Sequence, residues 1–187
     1  MKEVIVFGGS GFLGSYVADE LTRRGFDVVI ADLHESKYIQ GKQKFKKVDV
    51  FNIEEISKII KTASVVYNFS AVAELEEAIE NPIRTFQVNV LGNLNILEAC
   101  KKADSIERFV YASSAYALSN EGSFYGISKQ SSEKLTQEYF KKYGLKYTVI
   151  RYGSLYGERA SHNNYIYNLL RDAIQSGELL YKKGNDE

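Results

Sequence analysis

The segment VIVFGGSGFLGS, residues 4–15, runs four apolar residues into glycines at positions 8, 11 and 14. A strand that passes through such a turn into an amphipathic stretch has few ways to fold. Gly8 allows a tight turn out of the strand. Gly11 removes the side chain where a pyrophosphate must approach the backbone, and Gly14 lets the following helix sit close to the sheet. The helix N-terminus offers unpaired N–H groups and the positive end of a dipole to phosphates. The spacing is G-x-x-G-x-x-G, not the G-x-G-x-x-G of the commonest dinucleotide fingerprint. A turn with a purely structural role is therefore the alternative.

Short apolar runs alternate with longer amphipathic ones along the rest of the chain. EVIVF (3–7), DVVIA (27–31), VVYNF (65–69), RFVYAS (108–113) and YTVIR (147–151) are β-branched and aromatic, and read as buried strands. KFKKV (44–48) reads as a weaker, edge strand. Helices are predicted over 11–24 with Gly25 as a stop, 52–63 capped by Asn52, 81–103 with Asn81 as cap and Pro82 in the first turn, and about 125–143 followed by Gly144. The alternation predicts an α/β fold: a doubly wound, Rossmann-like parallel sheet in the order 3-2-1-4-5-6, with helices on both faces and a ligand at the carboxyl ends of the strands.

Asp32 is expected at the end of the second strand, about 20 residues after the glycines, where a carboxylate accepts hydrogen bonds from ribose hydroxyls and repels a 2′-phosphate. This favours NAD over NADP, although His34 and Lys37 lie nearby. Asp49, after the third strand, is placed to reach an adenine or, alternatively, to start a helix.

A second signal lies in ASSAYALSNEGSFYGISK. Ser113 and Ser114 leave the fifth strand at the ligand-binding edge, and Tyr125 and Lys129 are four apart on one helical face. Y-x-x-x-K alone is weak, and Tyr38 with Lys42 matches it in a loop. A free phenol has a pKa of about 10. A lysine ammonium and a positive nicotinamide ring would lower it toward the pH where general base catalysis is effective. Ser114 would bond the same substrate oxygen while Tyr125 takes its proton and hydride passes to the cofactor.

With 187 residues, 44% of them hydrophobic, the chain suits one core, and its formal net charge of +0 and the absence of a basic stripe argue against nucleic acid. Lys37, Lys42, Lys44, Lys46 and Lys47 read as a solvated cluster. The single cysteine, Cys100, reads as a small core or interface residue in a reducing compartment. His34 and His162 lack zinc-ligand spacing, so no metal is expected. No run approaches a membrane span, no secretory signal opens the chain, and a cytoplasmic location is expected.

The motifs in order are VFGGSGFLGS, Asp32, DV at 49–50, NFSAVA, NPIRTFQVNVLGNLNILEAC, the serine pair, YGISK and RYGSLYGER. Together they resemble the extended short-chain dehydrogenase/reductase family, in particular its NAD-dependent epimerase/dehydratase group acting on nucleotide sugars. The resemblance covers essentially the whole chain. It implies cofactor contacts from Gly8, Gly11, Phe12, Leu13, Gly14, Asp32, Asp49, Val50, Phe69, Ser70, Ala71, Asn89, Tyr125 and Lys129, and catalytic roles for Ser114, Tyr125 and Lys129. It further implies a homodimer built on the helices near 82–102 and 125–143.

In this group a bound cofactor removes a hydride from a sugar carbon and returns it. Ala115 and Tyr116 stand where dehydratases and decarboxylases carry a carboxylate, which leans toward an epimerase or a simple reductase. Relatives usually run well past this length. Residues 1–151 are therefore expected to form the NAD-binding domain and 152–187 the start of an incomplete substrate lobe, as in a truncated protein. An NAD(P)-dependent reductase or dehydrogenase, and a non-catalytic dinucleotide-sensing module, are the other readings.

Overall fold

Six short runs, five of them β-branched, form six parallel strands: β1 (Glu3–Phe7), β2 (Asp27–Asp32), β3 (Lys44–Lys47), β4 (Val65–Asn68), β5 (Arg108–Ser114) and β6 (Tyr147–Tyr152). They pair in the order β3-β2-β1-β4-β5-β6, as predicted, with the lysine-rich β3 at an edge. The structure is a computed structural model that describes residues 2–160 and 165–178.

Register sets the site. Phe7 lies opposite Ala31 on one side and Asn68 on the other. The exits of β1, β2 and β4 are therefore level, and the residues that follow each strand emerge at one edge. Side-chain alternation along the strands fills two layers. Ile5, Phe7, Val29, Ala31, Phe109 and Tyr111 pack on one face with Ile56, Ile60, Ile96, Leu97 and Cys100. Val4, Val6, Val28 and Ile30 pack on the other with Ala18 and Leu21. The former group draws on α2 (Ile53–Ile60) and α5 (Asn93–Lys101), the latter on α1 (Phe12–Arg23). Cys100 is a free, buried thiol in this core, and burial pushes its pKa up.

Asn52 caps α2 as expected, its side-chain oxygen accepting the Glu55 N–H at 3.2 Å. The single helix predicted over 81–103 is a broken one. It comprises α4 (Pro82–Phe86), a π-helical stretch (Gln87–Gly92) and α5, preceded by a short α3 (Leu75–Glu80) that the periodicity reading missed. The π-stretch has an identifiable cause. Asn89 turns inward to bond the backbone of Val72. Gly92 lies against Val50, where a Cβ would stand 2.8 Å from Val50 Cγ2. Asn81 does not cap with its side chain. Its backbone N–H instead closes α3 on the Glu77 carbonyl, and its own carbonyl accepts the Thr85 N–H of α4.

The long α6 (Ser123–Tyr143) has an inverted pattern. Its buried residues include Ser128, Lys129, Ser132, Glu133 and Thr136, while Phe124, Ile127, Phe140 and Tyr143 are exposed. A 3-10 turn (Ala115–Leu118) leads into it from β5.

The chain divides into two units, Met1–Gly153 and Ser154–Glu187. The second contains α7 (Tyr165–Ser176). Residues 161–164, with His162, and 179–187 belong to the expected second region and lie outside the described residues. No helix among the described residues is long and apolar enough to cross a membrane.

Gly144 ends α6 in the left-handed region, φ +73°, with its N–H on the Phe140 carbonyl and open space where a Cβ would be. Gly144→Ala is therefore expected to cost about 1 kcal/mol in urea unfolding, from backbone strain alone, and Gly144→Asn less.

Candidate functional site

The glycine turn is built by close backbone approach. Gly8 leaves β1 at φ +68°, and a Cβ there would stand 2.6 Å from Phe69 C and Ser70 N at the exit of β4. A Cβ on Gly14 would stand 2.2 Å from the Gly8 carbonyl oxygen. The first turn of α1 thus rests on the glycine loop itself, a closer constraint than the helix–sheet spacing expected for Gly14. Gly11 precedes α1 as its cap residue. Gly8 and Gly11 line a crevice of about 300 Å³ with Asp32, Asp49, Val50, Phe69, Ser70 and Ala71. Eight of the residues predicted for the cofactor therefore share one wall-to-wall space.

The Asp32 carboxylate is oriented before any ligand arrives. Its Oδ2 accepts the Ser10 N–H at 3.0 Å and its Oδ1 the Leu33 N–H at 2.7 Å. Ser10 Oγ also donates to the His34 carbonyl at 2.6 Å. Two bonds thus clamp the glycine loop to the exit of β2. Asp49 stands where both readings would place it, at the crevice and just before α2. It lines the crevice, and its Oδ1 accepts the Phe51 N–H at the start of α2.

Phe12 and Leu13 form the first turn of α1 and are not among the crevice-lining side chains. What they present to it are the N–H groups of a helix start. Asn89 also lies behind the wall. Its Oδ1 accepts the Val72 N–H at 2.8 Å, and its Nδ2 donates to the Val72 carbonyl at 3.0 Å and to Ser128 Oγ at 2.9 Å. It shapes the segment Phe69–Val72 instead of presenting its amide to the crevice.

Ser114, Tyr125 and Lys129 converge. Ser114 ends β5, and Tyr125 lies in the first turn of α6, where the nearby Ser114 hydroxyl favours its phenolate. Lys129 is 3% exposed. Its Nζ donates to the Ala112 carbonyl at 2.9 Å and lies 5.6 Å from the centre of the Tyr125 ring and 5.2 Å from that of Tyr111. The Tyr116 ring meets Tyr125 edge-on at 6.4 Å. Burial raises the Tyr125 pKa, the Ser114 hydroxyl opposing it. Within the protein alone the phenol therefore moves up, not down as expected, and burial depresses the pKa of Lys129 itself from 10.5 to about 8. Lowering the phenol needs a second positive charge nearby.

The sequence matches the pattern of the NAD dependent epimerase/dehydratase family across residues 4–186. The chain belongs to that family. A UDP-glucose 4-epimerase of Lactobacillus helveticus is 29% identical over 199 residues, 92% of this chain and 60% of the relative. The UDP-glucose 4-epimerase of Thermotoga maritima, solved with UDP-glucose, superposes with a TM-score of 0.88 at 26% identity, covering 99% of this chain and 67% of that one. That of Thermus thermophilus, solved with NAD, gives 0.81 at 30% identity, covering 91% and 61%. The chain spans between 57% and 63% of the length of the first curated relatives it matches.

The crevice of this epimerase/dehydratase-family chain also includes residues that sequence reasoning missed: Glu77, Arg84 and Val88. Arg84 lies with its guanidinium 5.1 Å from the centre of the Phe51 ring. Glu77 lies on α3, Arg84 on α4 and Val88 in the π-stretch, three separate pieces where the sequence suggested one helix from 81 onward. Among the described residues no three His, Cys, Asp or Glu gather as a metal site.

Lys129 couples this site to stability. Below about pH 8 both folded and unfolded chains hold its proton, and the folded form bears the full cost of burying the charge. Between about pH 8 and 10.5 only the unfolded chain is protonated, so stability rises with pH across that window. Lys129→Met is expected to be more stable than the parent at pH 7 by about 2 kcal/mol, an advantage that vanishes toward the top of the window in urea unfolding.

Proposed function

We propose that this chain is the NAD-binding part of a nucleotide-sugar epimerase, with residues 1–151 holding the cofactor and the chain from 152 onward beginning the substrate lobe. One observation carries the reading. The side chains of Ser114, Tyr125 and Lys129 meet at the carboxyl end of the sheet, the last two on the helix that the bond between Ser128 and Asn89 ties to the wall of the glycine crevice.

The residues fit the cofactor. The cradle at Gly8 and Gly14 is one that a Cβ would fill, and Asp32 presents a fixed carboxylate level with the turn. Gly8, Gly11 and the N–H groups of Phe12 and Leu13 would hold the diphosphate, Asp32 the ribose, and Asp49, Val50 and Phe69–Ala71 the adenine end. NAD, when bound, supplies the hydride acceptor and a positive ring. Tyr125 takes the proton of a sugar hydroxyl, Ser114 holds the same oxygen, and Lys129 supports the phenolate. The absence of a carboxylate after Ser114 disfavours the added acid–base steps of a dehydratase.

The substrate class rests on the relatives: the matched proteins include UDP-glucose 4-epimerases, two of them solved with UDP-glucose or NAD, together with UDP-glucuronate 4-epimerases and a UDP-N-acetyl-alpha-D-glucosaminuronate decarboxylase. A homodimer is supported by the apolar groove between α4–α5 and α6, lined by Ile83, Phe86, Leu91, Leu94, Phe124 and Ile127. A cytoplasmic setting accords with a free, buried Cys100.

Calorimetry is expected to show NAD binding tighter than NADP, with Asp32→Ala narrowing the difference by about tenfold, one lost charge contact. In the chain completed with a substrate lobe, Tyr125→Phe is expected to lose about 10²–10⁴-fold in sugar turnover while keeping NAD. A folded protein that takes up neither dinucleotide overturns the reading. Net NADH release on adding a sugar nucleotide indicates a dehydrogenase instead. Ile127→Asp is expected to halve the mass seen by sedimentation, and an unchanged mass removes the dimer.

A further inference from the structure

Behind the serine, tyrosine and lysine lies a buried carboxylate, paired with a solvent-exposed arginine, that the proposed chemistry does not use. Glu133 is 4% exposed. It accepts the Ser113 hydroxyl at 2.5 Å, Arg151 Nε at 2.9 Å and Arg151 Nη2 at 2.7 Å. Arg151 lies on β6 opposite Ser113 in the strand register. One carboxylate thus joins α6 to two adjacent strands.

We infer that Glu133 is a positioning residue: with Arg151 and Ser113 it fixes how α6 lies on β5, and so where Tyr125 and Lys129 stand relative to Ser114. The inference rests on the reading of those three residues as the proton-transfer set.

Spacing supports it. Tyr125, Lys129 and Glu133 are at i, i+4 and i+8, one stripe of α6. Their three polar ends meet three consecutive residues of β5: Ser114, Ala112 and Ser113. Ser113 is covalently next to Ser114, so a bond from Glu133 to Ser113 gauges the distance from Ser114 to Tyr125. An apolar residue at 133 would hold a helix more cheaply, because a buried carboxylate is expensive to desolvate. A forked, charge-assisted contact adds what apolar packing lacks, a fixed direction. Burial works to raise the Glu133 pKa, but the bonds from Arg151 and Ser113 prevail and hold it below the usual carboxylate range. The anchor is therefore charged wherever the site operates.

The test reads the site itself rather than turnover. In protein carrying lysine labelled with ¹³C at Cε, the Lys129 signal is assigned by its loss in Lys129→Met, and its titration is followed by NMR without coenzyme. A chain that fails to bind NAD would sink the proposed function while leaving this comparison intact. In Glu133→Gln, displacement of α6 admits water to Lys129, and its midpoint is expected to rise by about one pH unit or more toward the ordinary lysine value. Loss of the Glu133 charge without displacement would lower that midpoint instead. A midpoint that is lower or unchanged in the folded variant overturns the inference. Should Glu133→Gln not fold, Ser113→Ala cuts only the gauge bond. A rise in the Lys129 midpoint then supports the assignment, and no rise overturns it.

Discussion

The Gly8 carbonyl stands where no side chain can pass, and the arrangement of the crevice follows from that contact. Its oxygen fills the space beside Gly14, while Gly8 itself lies against the backbone of Phe69 and Ser70. Strand β1, helix α1 and the exit of β4 therefore meet backbone to backbone. With no Cβ at either position the three can approach within van der Waals distance, and the N–H groups of the helix start face an open crevice. The same loop carries Ser10, whose N–H and hydroxyl fix Asp32 and the His34 carbonyl. A larger residue at 8 or 14 would move the loop and release the carboxylate with it.

Beneath this lies a run of buried amides and hydroxyls. Asn68 donates to Asn93 and accepts the Ser70 N–H. Asn89 holds both backbone groups of Val72, and Ser128 and Ser132 of α6 bond to Asn89. Its directionality specifies one arrangement where apolar packing would allow several, and it carries a cost at Asn93, whose Nδ2 is buried without a hydrogen-bond partner among the described residues. Here it makes the crevice wall and the tyrosine-bearing helix parts of one framework.

The cost of this arrangement is visible in Lys129 and Glu133, two ionisable groups with almost no exposure. Neither position would be filled this way for stability alone. Among the described residues Lys129 holds the Ala112 carbonyl and the faces of two tyrosine rings, and burial weakens its hold on its proton. Glu133 keeps its charge because Arg151 forks onto it. Two such groups on one face of one helix are what the proposed proton-transfer role of Tyr125 and Lys129 calls for, at a cost that packing alone would not select.

The sequence by itself determined the parallel sheet, its strand order and its glycine turn, because short β-branched runs separated by amphipathic stretches admit little else, and only glycine fits where backbone meets backbone. It also marked Asp32, Ser114, Tyr125 and Lys129, whose types and spacing carry their chemistry locally. Tertiary structure decided the rest. The π-stretch at 87–92, the inward turn of Asn89, the inclusion of Glu77 and Arg84 in the crevice and the bridge from Glu133 to β5 and β6 each depend on partners distant along the chain. Helix α6 shows why. Its buried face is serine, lysine, glutamate and threonine and its exposed face holds phenylalanine and isoleucine, so a periodicity that assumes apolar residues turn inward points to the wrong side. Only the packed sheet, which supplies the carbonyls, hydroxyls and guanidinium that satisfy those polar groups, makes that orientation the stable one.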